Sequence, residues 1–476
     1  MRKLLISALA VLLLAALAPA GRTEVSGLAL ARVEVATPAE AAYVASHFDE
    51  THNLVSGRVE VLLWPGDAAE LQEAGFDYDI VVADVAARDA ARFSGPQPLV
   101  RLPGPDRKDY RHLVDYNDEL AALAKRNPGL VRLLKLPNKT LEGRPVFGVE
   151  LAKGVRRDDG RPVVYIDGIH HAREWPAAEY PMIFIHYLIE NSGKGGRVGD
   201  LLERARVIVV PIVNPDGFDY SRESPIQSPT LGGGNGFEGY WRKNRRSFTG
   251  VTVPVAQKNP DAYGVDPNRN YSFHWGGENG SSSLPFTQTY RGLGPFSEPE
   301  AANVQDIMLS RSVTGIVSNH TYSNLVIRPW GETSKDSPDE PLLARLGGRM
   351  ARAMGGYRNI KGIELYATTG TTSDYAYGVL GALGYTFEHG TAFHPPYADE
   401  VGSSWKGVMT AFLILAEAAA DADTHAVVTG RVLGPNGRPV DAEIHVTKKF
   451  ETPLAEDAVY ITETYAEKID MAFSSG

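Results

Sequence analysis

Cysteine is absent from all 476 residues. Disulfides, a thiol nucleophile and thiolate metal ligands are thereby excluded, so any metal held here is held by histidine and carboxylate. Stability must then come from a large apolar core, and the length suffices for roughly two to four domains. Positive charge is also scarce, with 48 Lys and Arg against 58 Asp and Glu and a formal net charge of −10. That balance argues against a general nucleic-acid partner. Long apolar runs are missing beyond the first twenty residues. The exception, Leu4 to Leu17, follows Arg2-Lys3 and ends in Ala18-Pro19-Ala20, which reads as a signal peptide over 1–20 and is short for a bilayer span. The remainder is expected to be secreted, extracellular or periplasmic, with no membrane contact once the signal is cut.

Beyond residue 20, composition divides the chain into three domains and a linker. Residues 21–93 alternate strand-like runs (28–35, 58–63, 78–82) with helical stretches (38–48, 67–74), the pattern of a small α+β domain. Residues 94–109 are rich in Pro and Gly and read as an exposed linker. Arg107-Lys108 within it reads as a solvated pair more readily than as a processing site. From 110 to 420, helices alternate with strands that are apolar throughout, at 163–169, 207–213, 313–318 and 384–387, and the last helix covers 405–420. This predicts an α/β domain with a mainly parallel, mixed sheet covered by helices on both faces. Sites in such sheets form at the carboxyl ends of strands. Residues 425–476 read as a short antiparallel β-module, with strands at 427–433 and 444–447 around Gly434-Pro-Asn-Gly437, too few strands to be complete.

The strand at 163–169 breaks at Gly168 and delivers His171 and Glu174. An imidazole and a carboxylate three residues apart on one turn project to the same side and suit zinc. About one such pair is expected by chance in a chain with this much acid and His, and a second occurs at His47-Phe-Asp-Glu50. With no further ligands around it, that second pair reads as an exposed helix end. A third ligand is expected at another strand end, and 313–318 leads straight into His320. Three protein ligands leave a fourth position for water. Glu388 ends the strand at 384–387, where a carboxylate serves either as ion-paired structure or as a general base. The loops at 241–245 and 264–270 carry Arg242 and Arg269, and a guanidinium can hold an oxyanion or grip a carboxylate at two points.

In this order the chain presents His171-Ala-Arg-Glu174, Asn214-Pro-Asp-Gly217, Trp241-Arg-Lys243, Gly264-Val-Asp266 with Asn268-Arg269-Asn270, Tyr290-Arg-Gly292, Phe296-Ser-Glu-Pro-Glu300, Asn319-His-Thr-Tyr322 and Tyr385-Thr-Phe-Glu388. Over residues 110–420 it resembles the zinc metallocarboxypeptidases of the carboxypeptidase A/B type, peptidase family M14. Phe393-His-Pro-Pro396 looks like the bacterial secreted branch of that family. The resemblance implies a carboxypeptidase-like α/β fold and one zinc ion per catalytic domain, bound by His171, Glu174 and His320. It makes Glu388 the base that activates the zinc-bound water and Arg242 the group that polarises the scissile carbonyl. Asn268 and Arg269, assisted by Arg173, would bind the substrate's free C-terminal carboxylate. Tyr366 would close over the substrate, and Tyr322 and Ser373 would also line its site.

The same resemblance implies a monomer acting on peptides or proteins with a free C-terminus. It makes 21–93 a propeptide-like domain, and 425–476 resembles a transthyretin-like module. Two features depart from the family and bear on substrate preference: Glu388-His389-Gly390, and the Gly- and Ser-rich stretch 221–239. A zinc amidase or γ-glutamyl peptidase acting on cell-wall peptides is the alternative enzyme. A peptide-binding pseudoenzyme is the non-catalytic one, and it normally lacks a ligand or the base, none of which is missing here.

Overall fold

The computed structural model describes residues 27–223, 238–248, 264–421 and, further on, 424, 433–438, 442–446 and 469–473, apart from positions 56, 94, 158, 194, 278, 279 and 312. The expected signal peptide lies outside these residues, as does most of 221–239.

The N-terminal unit runs β1 (Ala29–Glu34), α1 (Pro38–His47), β2 (Asp49–Val55), β3 (Arg58–Leu63), α2 (Asp67–Glu73), β4 (Tyr78–Val82) and α3 (Val85–Phe93). Thr37 caps α1 by accepting from the Glu40 amide, and Pro38 occupies the first turn, where its missing N–H costs nothing. The strands pair antiparallel in the order β2-β3-β1-β4. β1 and β3 are buried on both faces, because alternate residues meet two different cores. Ala31, Val33 and Val61 face the unit's own core, whereas Leu30, Leu62 and Trp64 join the core of the following domain. The N-terminal sheet is therefore a layer packed onto its neighbour.

That neighbour contains α4 (Leu113–Arg126), β5 (Val131–Lys135), β6 (Phe147–Leu151), β7 (Val163–Gly168), α5 (Pro176–Asn191), α6 (Arg197–Arg204), β8 (Arg206–Val210), α7 (Pro215–Glu223), α8 (Pro299–Ser310), β9 (Val313–His320), β10 (Leu325–Arg328), α9 (Glu340–Met354), β11 (Arg358–Lys361), α10 (Thr372–Leu380), β12 (Leu383–Glu388) and α11 (Ser403–Ala419). Its eight strands are ordered β11-β10-β12-β9-β7-β8-β6-β5. The central β12, β9, β7 and β8 run parallel, and β10, β6 and β5 add antiparallel pairs. Parallel neighbours end together, so Glu388 stands opposite His320 and Gly168 opposite Asn319. Three candidate residues thus emerge from three adjacent strands.

The expected linker is only partly a linker. Residues 95–99 are mostly exposed, but Val100 and Arg107 exchange both backbone hydrogen bonds, at 2.6 and 3.0 Å. Between them Pro103 is buried, and the Gly104 amide donates to Glu190 at 2.6 Å. A Cβ on Gly104 would lie 2.5 Å from the His186 ring, so only glycine allows this approach. Residues 100–107 are therefore a hairpin docked on the eight-stranded domain, and Arg107 is built into it. Past α11, β13 (Ala442–Val446) and β14 (Ile469–Phe473) pair antiparallel. The Gly434–Gly437 turn is present, while most of the strand expected at 427–433 lies outside the described residues.

Candidate metal centre and active-site cleft

Gly168 ends β7 where a Cβ would come within 2.5 Å of the Ala177 carbonyl, and Ile169 adopts a left-handed conformation (φ 54°). This kink turns the chain into a single turn closed by the Glu174 amide on the His171 carbonyl, 3.2 Å, rather than a helix. The turn brings His171 Nδ1 to 2.7 Å from Glu174 Oε1. His320 Nδ1 lies 3.1 Å from His171 Nδ1 and 2.9 Å from Glu174 Oε2. All three residues are buried. Two imidazoles and a carboxylate at about 3 Å match the roughly 3.3 Å between ligand atoms in tetrahedral zinc coordination, so the donor set fits the ion. Burial, aided by the Arg242 charge, lowers His171 to about 4, and burial lowers His320 to about 3. Both rings are thus neutral at pH 7, the state a metal requires.

Asp266, part of a sequence motif but without an expected role, joins this cluster to the next. Its Oδ1 faces His171 Nε2 at 3.2 Å, and its Oδ2 accepts from Arg242 Nε and Nη2 at 3.1 and 2.9 Å. Burial alone would raise its pKa, but the charges of Arg242 and Arg269 and the hydrogen bond with His171 hold it well below the ordinary value. A carboxylate on the far nitrogen of a ligating imidazole fixes tautomer and orientation.

The remaining motifs buttress these loops. Asn214 Nδ2 donates to the carbonyls of His170 and Lys243, and the Ala172 amide donates to the Arg242 carbonyl, which ties the His171 turn to the Arg242 loop. Asn244 Nδ2 donates to Glu298 and Glu300, and its Oδ1 accepts from Val265, which fixes the Asp266 loop. Asn268 Oδ1 accepts from the amide and hydroxyl of Thr372. Arg269 spends Nε on the Gly280 carbonyl and Nη1 on the Asn268 carbonyl, and its buried Nη2 has no hydrogen-bond partner among the described residues.

Glu388 is fully enclosed. Burial first, then Glu174 and Glu50, raises its pKa well above the ordinary value. Ser373 Oγ accepts from Thr386 Oγ1 at 3.3 Å, and Thr386 lies opposite Ile327 across β10. His389 is buried. It meets Asn319 Oδ1 at 2.9 Å and the Tyr357 hydroxyl at 3.1 Å.

The pair at His47-Phe-Asp-Glu50 requires correction, because only His47 is at an exposed helix end. Asp49 and Glu50, at the start of β2, are buried. Asp49 takes Arg173 at two points, and Trp64 Nε1 donates to the same carboxylate at 2.7 Å. Tyr322 donates to Glu60 at 2.6 Å, and Ala45 packs with Leu325, Ile327, Leu365 and Tyr366. Arg173, Tyr322 and Tyr366, all expected on the substrate side, are thus covered by the N-terminal unit. Local spacing carries no sign of this, because the partners lie far along the chain.

A family model described as zinc carboxypeptidase matches residues 116–411. A carboxypeptidase B of Astacus astacus is 32% identical over 293 residues, covering 60% of this chain and 87% of its own. Carboxypeptidase A1 of Rattus norvegicus is 28% identical over 67% of this chain and 73% of its own. The solved carboxypeptidase A of Helicoverpa armigera superposes with a TM-score of 0.64 at 24% identity, over 83% of this chain and 99% of that one, a likeness of fold.

Proposed function

Because the chain belongs to the zinc carboxypeptidase family and is a metallocarboxypeptidase, we propose that it is secreted as a zymogen and removes single residues from the C-terminus of peptides and proteins. The observation that carries this reading is the buried cluster of His171, Glu174 and His320 with Glu388 and Arg242 around it. Zinc held by that cluster would act as a Lewis acid and lower the pKa of a water. Glu388 takes the proton from the attacking water and hands it to the leaving amine nitrogen, and burial together with Glu174 and Glu50 raises its proton affinity above that of an ordinary carboxylate. Arg242, aligned by Asp266, holds the oxygen that gains charge at the attacked carbonyl. Arg269 Nη2 and Asn268 grip the terminal carboxylate, with Arg173 available once it is uncovered, and this contact makes the enzyme an exopeptidase. Tyr366 and Tyr322 close on the substrate, and Ser373 gives the side-chain pocket a neutral hydroxyl in place of a charged floor.

The N-terminal unit is the inhibitory part of the zymogen, since its Asp49 takes Arg173, its Glu60 takes Tyr322 and its Ala45 packs with Tyr366. Activation cleavage falls between Phe93 and Val100, because the 95–99 stretch is exposed, whereas cutting at Arg107-Lys108 requires tearing out the docked hairpin. Among the described residues no helix is long and apolar enough to cross a membrane.

The test uses protein cleaved in 94–99 and N-blocked dipeptides that differ in the last residue, each also as the C-terminal amide, with and without a chelator. Chelator-sensitive release that disappears on amidation is the expected result, and the panel reads out the Ser373 pocket. Failure on every dipeptide, with hydrolysis of a muropeptide, would replace this reading by the cell-wall amidase.

A further inference from the structure

His170, next to the expected ligand His171, is fully buried and takes no part in the chemistry above. Its ring lies between two parts of the site. It stacks on His320 with centroids 5.7 Å apart and planes at 21°. Its Nδ1 is 3.3 Å from Ser318 Oγ, which in turn is 3.1 Å from His320 Nε2. Its Nε2 is 2.7 Å from the Tyr271 hydroxyl and 3.1 Å from Thr372 Oγ1, and Thr372 donates to Asn268 Oδ1 at 2.9 Å.

The buried Asp167 carboxyl also lies 3.6 Å from His170 Nδ1, and with that carboxyl protonated, as its burial favours, the proton directions along the path are compatible. If His320 ligates through Nδ1, its Nε2 carries the proton and donates to Ser318 Oγ. Ser318 can then donate to His170 Nδ1. The neutral His170 ring has its proton on Nε2 and donates to Tyr271 or Thr372, and Thr372 keeps its own hydroxyl proton for Asn268. The path also answers a difficulty in the site. Asn268 Nδ2 stands 3.3 Å from His320 Nε2, and two N–H groups facing each other do not attract. Thr372, by donating to Oδ1 from both its amide and its hydroxyl, holds the Asn268 amide in that orientation, with Nδ2 turned away from Thr372.

We infer that His170 is a positioning residue that couples the metal ligand His320 to the carboxylate-binding Asn268 through Ser318 and Thr372. The inference rests on the ligand and carboxylate roles proposed above. It implies that metal affinity and grip on the substrate's terminus depend on one another through this ring, a linkage that must be reciprocal.

The experiment measures zinc affinity by competition with a chromophoric chelator, alongside KM and kcat, in the activated enzyme and in His170→Phe, Thr372→Val and the double variant. Ligand-supporting contacts typically carry 10–100-fold in metal affinity. One layer further out, His170→Phe should weaken zinc about tenfold and Thr372→Val about threefold, with KM rising more than kcat falls. In the double variant, Thr372→Val should add nothing to the zinc loss. His170→Asn, whose amide reproduces Nδ1 but does not reach Thr372, should regain zinc affinity while KM stays high, and it is the variant to read if His170→Phe does not fold. Unchanged zinc affinity in His170→Phe, losses that multiply independently in the double variant, or full recovery of KM in His170→Asn would overturn the coupling. Failure of the wild-type enzyme to bind zinc would instead overturn the ligand assignment itself.

Discussion

The Asp49 carboxylate lies 2.7 and 2.6 Å from the two terminal nitrogens of Arg173, and both residues are buried. Burial pushes the Asp49 pKa up. The charge of Arg173 and the hydrogen bonds from Arg173 and Trp64 outweigh it and leave the carboxyl below its ordinary value. The N-terminal unit thus inserts a charge that the cleft neutralises with one of its own cations.

Removing one partner of such a pair leaves the other charge buried alone, which costs about 3–5 kcal/mol. Asp49→Asn is therefore expected to loosen the N-terminal unit, and the uncleaved chain should hydrolyse an N-blocked dipeptide at least about fivefold faster. Protein beginning near residue 100 should show no gain from the covering having been weakened, since it has none. The pH dependence has a fixed sign. A carboxyl with a lowered pKa supports docking above its free value and loses that support as pH falls through the lowered one. Acidification below about pH 4, and not a change between pH 6 and 8, should release the unit. Equal rates for the variant and the parent would remove the ion pair from the inhibitory contact.

Glu388→Gln keeps the size and one acceptor of the side chain but cannot take a proton. The loss expected for a general base is about 10²–10⁴ in kcat, with the zinc content of the purified protein unchanged, because Glu388 is outside the cluster of His171, Glu174 and His320 proposed to hold the metal. Metal analysis together with kcat separates this from damage to the metal centre. Loss of both at once would move Glu388 into the ligand set.

Asp266→Asn should instead damage two functions together. Its carboxylate serves His171 through one oxygen and Arg242 through the other, so zinc affinity should fall about 10–100-fold. Saturating zinc should then recover only part of kcat, because Arg242 has lost its charged anchor. Full recovery in excess zinc would show that Asp266 supports the ligand alone.

Much of this site is legible in the sequence because its residues stand at strand ends. The apolar runs around 163–169, 313–318 and 384–387 mark parallel strands that end together, and His171, His320 and Glu388 follow from their carboxyl ends. The parts that stay hidden depend on distant partners. Asp49 and Glu50 look like any helix end until Arg173 is placed against them. The hairpin at 100–107 has the same Pro- and Gly-rich composition as an open linker, and only its docking on Glu190 and His186 distinguishes it. Asp266 and His170 do not stand out in the sequence because each is close to a residue with a more obvious role, and their own partners come from other loops.

Glu400 provides a test of stability away from the catalytic groups. It is buried, its carboxylate accepts from the Tyr180 hydroxyl, and Gly390 lies so close that a Cβ there would be 2.2 Å from Glu400 Oε2. Burial raises its pKa to about 7, and the Tyr180 hydrogen bond offsets this only in part. An acid whose folded pKa exceeds its unfolded value contributes most at low pH, and that contribution is lost as pH rises from about 4.5 to 7. Glu400→Gln removes the titration while keeping the acceptor for Tyr180. The variant and the parent should therefore melt together at pH 5 to within a degree or two, whereas at pH 8 the variant should be the more stable by up to about 3 kcal/mol. Thermal unfolding at the two pH values checks this. A gap that does not widen with pH would mean that Glu400 is ionised in the folded protein throughout, with water reaching it behind the Gly390 loop.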